Sequence, residues 1–150
     1  MPQSLSHLLV HLVFSTKDRS PFIGESVRKE LHAFLAGTVR TAGCECLCIG
    51  GTADHVHCAV DLARTISVAQ LIEDIKTSSS AWVKRQSAPL AKFAWQRGYG
   101  AFSVGASGYG KLARYIAMQE EHHKTVSFQD ELRAVLKKYN KKYDERYVWD

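Results

Sequence analysis

Long apolar runs are missing from this chain of 150 residues. No stretch approaches the ~20 apolar residues of a membrane span, and the first residues carry no signal-peptide pattern. A cytoplasmic protein with no membrane partner is expected. Proline is scarce, at three residues, and no internal repeat is visible. One domain over 1–150 is therefore expected, large enough to bury a core. The cysteines, Cys44, Cys46, Cys48 and Cys58, lack the paired C-x-x-C spacing of a zinc site or redox pair. Cys44, Cys46 and Cys48 alternate along one predicted strand face, where adjacent members are poorly placed to pair, so reduced thiols are the expected state. An acidic surplus is absent too: the formal charge of +5 leans towards an anionic partner without naming one.

What is present is hydrophobic periodicity. Ser4 to Ser15 alternates as a strand, with Leu8, Val10, Leu12 and Phe14 on one face and His7, Leu9, His11 and Val13 on the other. A helix follows from about Glu25 to Ala42, its buried stripe made by Val27, Leu31, Phe34, Leu35 and Val39, with Gly43 to end it. Cys44 to Ile49 reads as a second strand, which Gly50-Gly51 turns into a third as a hairpin. Ser67 is placed to cap a helix that runs to about Lys84. Phe93 to Val104 is strand-like despite Gly98 and Gly100. Gly105 to Gly110 reads as a flexible linker, and Lys111 to about Lys124 and Phe128 to Tyr139 as two further helices. This order predicts an α+β, ferredoxin-like split βαβ fold: one four-stranded antiparallel sheet, two helices on one face, and C-terminal helices added. The second face is expected to be open for a ligand.

His55-Val56-His57 is the most informative pattern. Alternation along a strand sends His55, His57, Ala59 and Asp61 to one face and Val56, Cys58, Val60 and Leu62 to the core. Paired imidazoles on an open sheet face are poorly explained by packing and well placed to hold a metal ion. Further on, Tyr115 and Gln119 are four residues apart and share a helix face, in a segment crowded by His122 and His123. A tyrosine hydroxyl, with a pKa of ~10, attacks poorly unless a cation or base activates it. An ion at His55 and His57 could polarise a phosphate for that attack. Two imidazoles with the neutral amide oxygen of Gln119 suit Mg²⁺ or Mn²⁺ better than a closed zinc site. The residues alone do not favour Gln119 as ligand over His122 or His123, and those two are read as a helix C-terminal cap or phosphate contacts in preference to metal ligands. His11, on the strand beside His55, is a candidate supporting or phosphate-contacting residue.

Here the chain resembles a known family. His55-Val56-His57 looks like the His-hydrophobic-His motif of HUH endonucleases. The run Tyr115 to His123 resembles the tyrosine helix of the single-tyrosine transposases carried by small bacterial insertion sequences and repeat-associated elements. His11 to Arg19 and Gly98 to Val104 resemble that family's first strand and turn, and its strand ahead of the linker. The resemblance implies metal-dependent cutting of single-stranded DNA by Tyr115, through a 5′-phosphotyrosine that a 3′-hydroxyl later resolves. It implies that His55, His57 and Gln119 hold the metal, that hairpin DNA at element ends is recognised, and that homodimers can complete the site in trans. Gly105, Gly108 and Gly110 would then be the hinge.

Candidate DNA contacts, by type and position, are His11, Lys17, Arg19, Lys76, Lys84, Arg85, Arg97, Lys111, His122 and His123, with Trp82, Trp95 or Tyr99 as stacking platforms. Two other functions compete. One is a non-catalytic sheet that binds single strands as RNA-recognition domains do, but those carry aromatics where this chain has histidines. The other is a host-retained, repeat-associated nicking and joining enzyme. Gly105 to Leu112 also matches G-x-x-x-x-G-K, yet Leu112 stands where a nucleotide-binding loop needs Ser or Thr, so no nucleotide cofactor is expected.

Overall fold

Four strands, β1 (Leu9–Ser15), β2 (Glu45–Gly51), β3 (His55–Asp61) and β4 (Gly100–Ser103), make one sheet in the order β2-β3-β1-β4. All neighbouring strands are antiparallel. This computed structural model describes residues 2–150. Helices α1 (Glu25–Thr41) and α2 (Val68–Lys84) cover one face, completing the α+β split βαβ arrangement that the element order predicts.

The alternation along the central strands builds that layer. Leu12 and Phe14 of β1 and Val56, Cys58 and Val60 of β3 pack against Leu31, Leu35 and Val39 of α1 and Leu71, Ile72 and Ile75 of α2. Each such side chain withdrawn from water contributes about 1.5–3 kcal/mol. α2 starts where Ser67 predicts: its side chain accepts from the Gln70 amide at 3.1 Å. α1 stops before Gly43, which takes φ 85°, a conformation costly for residues with a Cβ.

Several boundaries differ from the sequence reading. β1 begins only at Leu9, and β4 keeps four residues of the expected Phe93–Val104 strand, with Trp95 joined by an isolated bridge to Thr16. Gly50 and Gly51 belong to β2 rather than to the turn, which is Thr52 to Asp54, closed by the Thr52 amide donating to the His55 carbonyl at 3.1 Å. A register shift between Cys46 and Cys48 pairs Cys46 with Val60 but Cys48 with Ala59, so those two side chains take opposite faces. All four cysteines are free.

The histidine face is not open. α3 (Tyr109–Ala117), α4 (Gln119–His122) and α5 (Phe128–Lys138) cover it. Phe128, Leu132 and Leu136 of α5 pack on Val13 and Phe102, forming a second apolar cluster that strand alternation had left unpartnered. Among the described residues no helix is long and apolar enough to cross a membrane.

Candidate active site

Strand pairing brings three histidines together. Val13 stands opposite His57 and His11 opposite Ala59, which makes His11 and His57 diagonal neighbours on one face. Their rings stack at 5.0 Å, and Nε2 of His11 meets Nδ1 of His57 at 2.7 Å. Burial, and then the neighbouring His57, push His11 down to about 3, so it is a neutral partner. His55 is oriented by its own turn: its Nδ1 lies 2.7 Å from the Asp54 carboxylate and 3.0 Å from the Thr52 hydroxyl. These contacts leave Nε2 of each member of the pair pointing into the layer beneath the C-terminal helices.

The tyrosine helix reaches that layer because of a glycine. A Cβ at Gly50 would collide with the carbonyl of Ile116. Its absence lets α3 lie directly on β2, beside His57, the residue paired with Gly50. Tyr115 then sets its ring edge-on to His57, with centroids 5.6 Å apart. The expected continuous helix from Lys111 to Lys124 is broken at Met118 (φ −98°, ψ 16°), so Tyr115 and Gln119 fall on separate helices. Both still face inward. Gln119 donates its Nε2 to the Tyr115 carbonyl (3.4 Å), which turns Oε1 towards His55 Nε2 and His123 Nε2, each at 3.0 Å.

α5 supplies a residue that the sequence reading did not single out. Glu131 extends one carboxylate oxygen to His57 Nε2 at 2.8 Å, and the other to His123 Nε2 at 3.0 Å. It also accepts a hydrogen bond from the Tyr115 hydroxyl. His122 Nε2 lies 3.0 Å from the same oxygen but is not aligned to donate to it. Relative exposure is 0% for His55, 1% for His57 and Gln119 and 4% for Glu131, so these four side chains are withdrawn from bulk water, while His123 is half-buried at their edge. Burial alone would raise the Glu131 carboxyl, yet the bonds from His123 and His57 hold it far below the ordinary carboxylate range. Burial and then Glu131 push the Tyr115 phenol well above its ordinary value. His123, opposed by burial, is raised by the same carboxylate. Donor atoms of His55, His57, His123 and Glu131 lie within 4.8 Å of one another, a grouping that could hold a metal ion.

Comparison with known proteins puts this geometry in context. Residues 4–119 match the family described as transposase IS200 like. The chain belongs to that family. No curated protein sequence matches it. Among solved structures it resembles a candidate transposase from Deinococcus radiodurans R1, at 18% identity and a TM-score of 0.62, over 79% of this chain and 98% of that one. It also resembles a REP-associated tyrosine transposase solved bound to a REP hairpin, at 15% identity and a TM-score of 0.60, over 84% of this chain and 76% of that one. At these identities the likeness is one of fold.

The family match ends at Gln119, so Glu131 and His123 lie beyond it. A signal for Glu131 existed. Ser127 caps α5 by accepting from the Asp130 amide at 3.1 Å, and Glu131 then falls within the stripe Phe128, Leu132, Leu136 that faces the sheet. A carboxylate in an apolar stripe needs a buried partner.

The remaining candidates scatter over this transposase. Lys17 is exposed, and Arg19 and His123 line a groove of about 540 Å³ with Arg28, Asp54, Lys124 and Phe128. Lys111 is exposed at the start of α3. Lys84 and Arg85 end α2, on the opposite side of the sheet from the histidines. Lys76 turns inward, donating to the carbonyls of Gln96 (2.9 Å) and Gly98 (2.6 Å), and burial lowers it to about 8. Trp95 is buried between Phe14 and Phe93 with its indole on Ser79, whereas Tyr99 is exposed and Arg97 adjoins it. Trp82 stacks on Phe34. Of the glycines, Gly105 and Gly108 bracket a short 3-10 turn, and Gly110 lies inside the first turn of α3.

Proposed function

We propose that this transposase, acting as one domain over 1–150 in the cytoplasm, cuts and rejoins single-stranded DNA through Tyr115. The observation that carries the reading is the phenol of Tyr115 held edge-on to the buried His57, beside His55, within one chain. Attack by the tyrosine oxygen on a phosphodiester forms the O–P bond and breaks the bond to the 3′ oxygen, which leaves with a proton as a 3′-hydroxyl. The strand remains on Tyr115 as a 5′-phosphotyrosine. A second 3′-hydroxyl reverses the step and joins two ends, and no ATP is consumed because the phosphoester bond is conserved.

His55, His57 and Gln119 would hold a divalent ion. Bound there, Mg²⁺ or Mn²⁺ supplies Lewis-acid polarisation of the phosphate. The fit is physical: with their Nδ1 atoms engaged by Asp54 and His11, both imidazoles turn Nε2 inward, towards Gln119 and Glu131. Tyr115 needs such help, because its surroundings favour the protonated phenol. Hairpin DNA as substrate is supported by the fold shared with the REP-associated relative. Tyr115 meets its own chain's histidines, which supports a site completed in cis, with any homodimer able to exchange helices about Gly105 and Gly108. A binding module of the RNA-recognition kind lacks its platform here, since α5 occupies the sheet face.

The test incubates the protein with labelled single strands that carry the hairpins flanking its gene, plus Mg²⁺ or Mn²⁺. A covalent protein–DNA adduct is expected, absent with Tyr115→Phe and absent with a chelator. An adduct that survives Tyr115→Phe would refute the assignment.

A further inference from the structure

Six atoms able to offer lone pairs converge under α5. His55 turns Nδ1 to the Asp54 carboxylate, which favours a hydrogen there and a lone pair on Nε2, 3.0 Å from Oε1 of Gln119. The same Gln119 oxygen faces His123 Nε2 at 3.0 Å, and that nitrogen faces a Glu131 oxygen at 3.0 Å. The second Glu131 oxygen stands 2.8 Å from His57 Nε2 and 3.8 Å from His55 Nε2. Spacings near 3 Å are those of neighbouring donors around one cation whose bonds are about 2.1 Å. Where Nε2 of His55 meets Oε1 of Gln119, one acceptor faces another in a buried place, which is costly unless a cation stands between them.

We propose that Glu131 and His123 are ligands of the same ion, making a centre of three imidazoles and one carboxylate that takes a first-row transition dication in preference to Mg²⁺. This rests on the reading that His55 and His57 hold a divalent ion, and it changes which ion that is. Mg²⁺ selects oxygen and keeps its water, whereas imidazole nitrogen favours Mn²⁺, Co²⁺ or Zn²⁺ increasingly along the series. The carboxylate offsets charge that neutral ligands leave in a buried place. It also ties the ion to α5, outside the segment shared with the family.

The experiment uses the full chain, stripped with a chelator and titrated with Mn²⁺ alone, binding being read from loss of the free-ion paramagnetic resonance signal. Wild type should bind a single Mn²⁺ that excess Mg²⁺ displaces poorly. Glu131→Gln and His123→Asn should each weaken binding by at least about tenfold, the loss typical of disturbing even the outer partners of a ligand. His57→Ala should lose it altogether. Unchanged Mn²⁺ affinity in the Glu131 and His123 variants, beside a loss in His57→Ala, overturns the larger centre and leaves the histidine pair standing. Equal displacement of Mn²⁺ by equimolar Mg²⁺ overturns the ion preference. No difference between wild type and His57→Ala overturns the underlying reading as well. Circular dichroism checks each fold, and His123→Asn decides the case if Glu131→Gln does not fold.

Discussion

The hydroxyl of Tyr115 donates to the carboxylate of Glu131, sixteen residues onward and on a different helix. This bond ties the phenol oxygen to the helix that roofs the histidines. It keeps the phenol protonated and oriented, and under the proposed mechanism DNA would replace it before attack. Glu131→Gln, which keeps the shape but loses the charge, should bring the Tyr115 ionisation back towards the ordinary ~10 of a phenol. Ultraviolet titration of tyrosinate, read against Tyr115→Phe, measures this; an unmoved curve would show that Glu131 does not control the phenol.

Gly50 fixes how closely the tyrosine helix approaches. Gly50→Ala should force α3 off β2, costing about 1–3 kcal/mol in stability as overpacked sites do. Covalent adduct should fall far more than hairpin binding, since the contacts with DNA elsewhere survive. Wild-type adduct yield in that variant would mean that α3 tolerates the displacement.

The roof itself should be the weakest element. α5 holds to the sheet through Phe128, Leu132 and Leu136 on a cluster much smaller than the one under α1 and α2. Leu132→Ala removes part of that anchor, at about 2–5 kcal/mol for a buried leucine. Hydrogen exchange should then quicken for amides of Phe128–Lys138 before those of His55–Asp61. Simultaneous quickening of both segments would show one cooperative unit instead.

Acid should destabilise the fold through His32. Burial, and then the nearby Arg28, push this imidazole from 6.5 down to about 4, and its Nε2 lacks a hydrogen-bond partner. Between those values the unfolded chain binds the proton and the folded chain does not, so stability is lost as pH falls from 6.5 towards 4. At about 1.4 kcal/mol per pKa unit the loss is at most about 3.5 kcal/mol. His32→Gln should flatten this portion of the profile, compared by urea unfolding near pH 7 and near pH 4.5; parallel profiles would exclude His32.

Binding to single strands should weaken with salt by a slope of about 0.7 for each phosphate neutralised. Arg19→Ala and Lys17→Ala should each reduce that slope by about this amount, whereas Lys84→Ala, beyond the far side of the sheet, should leave it unchanged. Titrations at several salt concentrations check this, and a reduced slope in Lys84→Ala would place the DNA path elsewhere.

Local rules carried much of this protein. Alternation sorted Val56, Cys58 and Val60 from His55 and His57, and Ser67 and Gly43 marked the helix ends where the backbone needed a cap or a left-handed turn. These features depend on a few neighbouring residues, so they are written plainly in the chain. The composition of the site was not. His57 and Glu131 are 74 positions apart, and they meet only because α5 finds an apolar strip on the sheet that its own periodicity cannot identify. Gly50, read as a turn residue, proved to matter for what passes above it. Whether a carboxylate joins two histidines depends on how helices dock, and docking is settled by the summed burial of distant surfaces rather than by spacing along the chain.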